Sequence, residues 1–86
     1  MGVLYGYVRS ADSGLGIPRV RLTIKGATGI YYAETNSEGF YSVNLPDGFY
    51  TVFIRERDLE PVTEGVNVVG KTHKDFYVSR IIFSTF

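Results

Sequence analysis

Gly39 and Gly48 stand nine residues apart, and each opens a segment whose side chains alternate between two faces, Phe40-Tyr41-Ser42-Val43-Asn44-Leu45 and Phe49-Tyr50-Thr51-Val52-Phe53-Ile54. Glycine enters backbone regions that other residues avoid, and an alternation of period two is the signature of a strand. The stretch therefore reads as turn, strand, turn, strand, with Pro46-Asp47-Gly48 as the second turn. It predicts Tyr41, Val43, Leu45, Tyr50, Val52 and Ile54 on an inner face, leaving Phe40, Phe49, Thr51, Phe53 and Arg55 outside.

The same period runs through the rest of the chain. Val3 to Arg9 places Leu4, Gly6 and Val8 against Tyr5, Tyr7 and Arg9, and Val20, Leu22 and Ile24 alternate with Arg21, Thr23 and Lys25. Between them, Ser10 to Pro18 has the composition of an irregular loop from which Ile17 tucks inward. Ile30 to Thr35 is rich in strand formers, with Tyr31, Ala33 and Thr35 on one face, and Asn36-Ser37-Glu38-Gly39 turns the chain. Arg57 to Gly65 reads as an edge crossing, Val66 and Val68 with Val62 as a short strand, and Thr72 to Ser79 as a last one with Phe76 and Val78 inward. No window carries the three-and-four spacing of an amphipathic helix. About seven short strands separated by turn signals predict an all-β fold of two antiparallel sheets packed face to face, with an incompletely closed barrel as the alternative.

Eighty-six residues of 44% hydrophobic content suit one domain, residues 1–86, in which 80–86 form an apolar tail or strand extension. Nine basic and nine acidic residues cancel. Net charge thus provides nothing to hold a nucleic-acid backbone or an anionic membrane. The absence of cysteine removes disulfides, thiol chemistry and Cys-ligated zinc. The first residues lack a signal-peptide pattern, no segment is apolar enough for direct membrane insertion, and an extracellular or cell-envelope setting within a longer protein is the expectation.

Leu4-Tyr5-Gly6-Tyr7-Val8, Gly16-Ile17-Pro18-Arg19-Val20-Arg21-Leu22, Thr35-Asn36-Ser37-Glu38-Gly39-Phe40-Tyr41 and Leu45-Pro46-Asp47-Gly48-Phe49-Tyr50-Thr51-Val52 together resemble the carboxypeptidase regulatory-like domains. The resemblance spans residues 4–54 and implies a seven-stranded, Greek-key, prealbumin-like (transthyretin-like) β-sandwich that acts as an accessory, docking or spacer module. The related collagen-adhesin-type B domains carry a Lys-derived isopeptide bond. Here the first strand offers Arg9 instead of lysine, and Ile54 stands four residues after Tyr50, so a self-crosslink is not expected. The transthyretin-related hydroxyisourate hydrolases use several histidines, an arginine and a Tyr-Arg-Gly-Ser end. This chain has one histidine, His73, and ends Phe83-Ser84-Thr85-Phe86, which sets that activity aside.

His73 sits among Lys71, Thr72, Lys74 and Asp75, as a solvated turn or edge would place it. Asp12, Asp47, Asp58 and Asp75 lack the close alternation of a calcium loop. No nucleophile and base can be paired without arbitrary choices. The expectations are therefore no catalytic residue, no metal, no cofactor and no enzymatic activity.

The aromatic content is the functional clue, because seven Tyr and six Phe exceed what one small core takes up. Tyr5, Tyr7, Tyr32, Phe40, Phe49 and Phe53 fall on outward positions, and Phe86 lies in the tail. These seven are the candidate binding residues. The reading is an interaction or assembly module that binds a protein partner, or itself, through aromatic anchors and strand edges. A surface carbohydrate-binding module is the alternative, with Arg9, Asn44, Thr51 and Arg55 as its polar groups.

Overall fold

The structure, a computed structural model, describes residues 2–81. Eight strands follow one another: β1 (Gly2–Ser10), β2 (Arg21–Gly26), β3 (Gly29–Glu34), β4 (Phe40–Leu45), β5 (Gly48–Ile54), β6 (Val62–Val68), β7 (Lys71–His73) and β8 (Phe76–Val78). One sheet has the order β4-β1-β7 with β8 also on β1, and the other runs β3-β2-β5-β6. Only β2–β3 and β5–β6 are hairpins within a sheet. The β7–β8 connection stays beside β1 in the first sheet, and every other connection crosses between sheets, which makes the two layers a Greek-key β-sandwich.

Alternation does the sorting. Leu4, Val8, Tyr41, Leu45, Phe76 and Val78 from the first sheet meet Leu22, Ile24, Tyr50, Val52, Ile54 and Val68 from the second, all at most 2% exposed. Each such side chain contributes about 1.5–3 kcal/mol by leaving water. Ile17, Tyr31 and Ala33 pack against this core from the side, as their places in the pattern predicted. Two core tyrosines find partners for their hydroxyls: Tyr41 Oη donates to the Lys74 carbonyl at 2.6 Å, and Tyr50 Oη to the Pro46 carbonyl at 2.5 Å.

Three features differ from the expected pattern. The last strand is two short ones, because Lys74 and Asp75 leave the ladder: the Lys74 amide bonds the Tyr5 carbonyl and Asp75 Oδ1 accepts the Tyr7 amide. Both pieces run parallel to β1, with Leu4 beside Thr72 and Val8 beside Phe76. At this junction the Lys74 carbonyl occupies the space a β-carbon on residue 6 would need, so β1 carries Gly6 there. Finally, β6 starts at Val62 and pairs with β5 from Ile54 back to Gly48. Its Gly65, which weakened the strand signal, lies under the Phe49 ring. The crossing therefore ends at Pro61, with Leu59 buried beneath it and bridged to Arg80.

The turn at Gly39 follows its glycine. Its φ of 86° is left-handed, and its amide returns to the Asn36 carbonyl while Asn36 Oδ1 accepts the Glu38 and Phe40 amides.

Candidate functional site

The outward aromatic residues divide between the two outer faces of the sandwich. Tyr5, Tyr7 and Phe40 share the face of β4-β1-β7, where Tyr7 lies directly across from Phe40. Their rings meet edge to face at 5.3 Å, and Tyr5 lies 6.5 Å from Phe40. Tyr5 also stacks on His73 at 5.1 Å. Arg9 sits 4.6 Å above the Tyr7 ring and Lys71 5.4 Å from that of Tyr5. Because the rings and cations cover one another, all three aromatics are only half exposed.

His73 is largely exposed, and Nε2 lies 2.9 Å from Asp75 Oδ1, the same oxygen that accepts the Tyr7 amide. Tyr41, in the core beneath, holds its phenol proton well above the ordinary range, first because it is buried and then because Asp75 and Glu64 are negative.

The opposite face, on β3-β2-β5-β6, carries Tyr32, Phe53 and Phe49. Thr23 of β2 lies between Tyr32 on β3 and Phe53 on β5, so the three form a row across the sheet. One step along the strands, Lys25 lies between Ile30 and Thr51. Tyr32 and Phe49 are 63% and 65% exposed, and Ile30 is 52% exposed, whereas Phe53 is half covered by Lys25 and Arg55, each 5.4 Å from its ring. Ile30 belongs to this band although its aliphatic side chain kept it out of an aromatic inventory. Its place two residues before Tyr32 was the available signal. Phe86 lies outside the described residues.

Where the aromatic row ends, a depression of about 340 Å³ is lined by Arg19, Arg21, Thr23, Glu34, Arg55 and Glu56. These charges did not stand out in the sequence, where each is an ordinary turn or outward strand residue. Outward parity on two neighbouring strands was the signal that could have joined Arg21 to Arg55. Among the described residues no group of three or more His, Asp or Glu side chains could hold a metal ion.

No protein-family model matches the chain, and no curated protein does. Solved structures do. A DUF3823 family protein of Bacteroides ovatus superposes with a TM-score of 0.77 at 21% identity over 92% of this chain, which spans 44% of that protein's length. The 5-hydroxyisourate hydrolase of Klebsiella pneumoniae matches with a TM-score of 0.70 at 17% identity, covering 100% of this chain and 97% of that one. A chain of a type II cohesin–X-dockerin complex from Acetivibrio cellulolyticus matches with a TM-score of 0.68 at 15% identity, over 91% of this chain and 57% of its own length. The hydrolase corrects the expectation that the chain has no enzymatic activity, because an enzyme is built on this architecture along its whole length and the fold cannot exclude catalysis. At these identities the likenesses establish the fold, and the fold is a transthyretin-like β-sandwich.

Proposed function

We propose that the chain is a protein-interaction module that binds through the outer face of β3-β2-β5-β6, with Phe49 and Tyr32 as anchors and Phe53 between the strands. The observation that carries this reading is that Ile30, Tyr32, Phe53 and Phe49 lie on one outer face, interleaved with Thr23, Lys25 and Thr51, and that Ile30, Tyr32 and Phe49 are each more than half accessible. Aromatic anchors rimmed by polar and charged side chains are where interfaces concentrate their binding energy. Lys25 and Thr51 stand among these side chains, Asn67 lies across from Phe49, and Arg55 lies against the Phe53 ring. The cohesin–X-dockerin likeness supports a role in protein assembly, since that chain was solved within a protein complex. Residues 1–86 form one unit in this reading, similar to the carboxypeptidase regulatory-like domains through segments 4–8, 16–22, 35–41 and 45–52, and placed outside the cell or in its envelope. The half-buried cluster of Tyr5, Tyr7 and Phe40 is a secondary contact.

The test is Phe49→Ser with Phe53→Ser. Light scattering across a concentration series reads self-association, and capture of a partner from the native envelope fraction reads heterologous binding. A folded double variant that no longer associates is the expected result. Association of undiminished affinity overturns the assignment, and binding to a glycan array that depends on Tyr5, Tyr7 or Tyr32 replaces it with carbohydrate recognition.

A further inference from the structure

We infer that the depression at the end of the aromatic row reads a carboxylate, so that the partner presents an extended acidic segment whose Asp or Glu side chain is held by Arg19, Arg21 and Arg55. This rests on the interaction reading above and narrows it to a partner chemistry.

Two local costs at the depression point to an anion. The first is in the backbone. Arg19 has a φ of 60° and is the one non-glycine residue with positive φ among those described. It follows Pro18 in a turn, at a position that glycine or asparagine fills without steric penalty. Its amide donates to the Thr35 carbonyl, a bond any residue but proline could make. Nothing else in the fold rewards arginine there, because among the described residues its guanidinium makes no hydrogen bond and no ion pair. A residue kept in an unfavourable backbone region marks a position chosen for its side chain.

The second cost is electrostatic. The last pair between β2 and β5 is Leu22 with Ile54. Arg21 opens β2 and Arg55 follows the last residue of β5, so the register continued one step past the end of the ladder sets two like charges side by side, an unfavourable juxtaposition. Two acids line the same depression, and neither forms an ion pair with these arginines. Glu34 stands across from Arg21 in the β2–β3 register without forming an ion pair, and Glu56 uses Oε2 to accept the Arg21 amide. Three arginines and two glutamates therefore line one depression, which leaves it an excess of positive charge in a chain whose total charge is zero.

A guanidinium fork matches a carboxylate in plane and in spacing, and one incoming carboxylate offsets both costs at once. Thr23 forms part of the lining and offers a hydroxyl. Because Thr23 also lies between Tyr32 and Phe53, a chain anchored by its carboxylate would run onto the aromatic row. Charge selects the partner at one end and apolar contact holds it along the other.

The test titrates the labelled full chain with poly-L-glutamate at two salt concentrations and follows amide shifts by NMR, with polygalacturonate as the second probe. Poly-L-glutamate is expected to shift the amides around Thr23, and Arg19→Gly and Arg21→Gln with Arg55→Gln are each expected to weaken it at least tenfold. Lys71→Gln, on the opposite sheet, should leave binding unchanged. Arg19→Gly should melt no lower than the wild type, which separates a binding role from a structural one. The inference is overturned if poly-L-glutamate does not bind, if Lys71→Gln weakens it equally, or if polygalacturonate binds as tightly with the same arginine dependence. Partner association that needs Phe49 and Phe53 but survives the arginine changes would overturn it alone and leave the interaction reading intact.

Discussion

The Thr35 hydroxyl accepts the Val20 amide at 2.8 Å, and the same oxygen donates to the Ile17 carbonyl at 2.7 Å. Thr35 is the one buried polar side chain among the described residues, 3% exposed, and it joins the loop before β2 to the end of β3. Thr35→Val keeps the shape and removes both bonds, leaving an amide and a carbonyl without partners. The expected loss is about 2–3 kcal/mol, read as a urea midpoint shift with an unchanged m-value. A variant as stable as the wild type would show that water reaches these groups.

Gly6→Ala places a β-carbon on the Lys74 carbonyl, where the backbone of β7 and β8 crosses β1. Relief requires moving backbone and not a flexible side chain, so the expected cost is about 3 kcal/mol, at the upper end of overpacking. Thermal melting compared with Gly14→Ala, whose added carbon meets open space but whose φ of 77° is strained for alanine, sets the steric clash against a purely conformational cost.

The shared oxygen of Asp75 makes its two neighbours unequal. Asp75→Ala leaves the half-buried Tyr7 amide without an acceptor and is expected to cost about 1–2 kcal/mol. His73→Ala removes an exposed hydrogen bond and one face of the Tyr5 stack, with an expected cost below about 0.5 kcal/mol. Chemical denaturation of the two variants side by side tests the order, and equal losses would reject it.

Burial raises the Tyr41 phenol, so the folded state holds that proton more tightly than the unfolded chain does. Its contribution is complete below the unfolded tyrosine value near 10 and is lost as pH climbs from there toward the higher folded value. Stability should therefore fall with rising pH above about 10, and Tyr41→Phe should flatten that fall. Absorbance of the phenolates near 295 nm should show the Tyr41 phenol ionising above the ordinary tyrosine range, a step that Tyr41→Phe removes.

Much of the fold was legible because alternation is local. Leu22 and Ile24 announce their burial within six residues, as do Tyr50, Val52 and Ile54. Pairing is not local, and that is where the sequence reading ran short. Tyr7 and Phe53 both point outward, yet which strands join which sheet puts them on opposite faces of the molecule. The strand at Val62 was obscured by Glu64 and Gly65, since the ring that covers Gly65 comes from Phe49 on the neighbouring strand. The arginine depression was invisible for the same reason: Arg19, Arg21 and Arg55 converge only once β2 and β5 are in register. The break at Lys74 and Asp75 arises from contacts with β1, nearly seventy residues away in the chain.

The parallel seating of β7 and β8 on β1 also sets a timetable for synthesis. Strand β1 gains one neighbour once Leu45 has emerged from the ribosome, but its other edge waits until Val78 is made. Until then the backbone of β1 presents an unpaired edge, the kind of surface that invites association with other chains. Closing that long loop makes the folding rate depend on distant contacts, so the sandwich is completed from its two ends and only after nearly all of it has been translated.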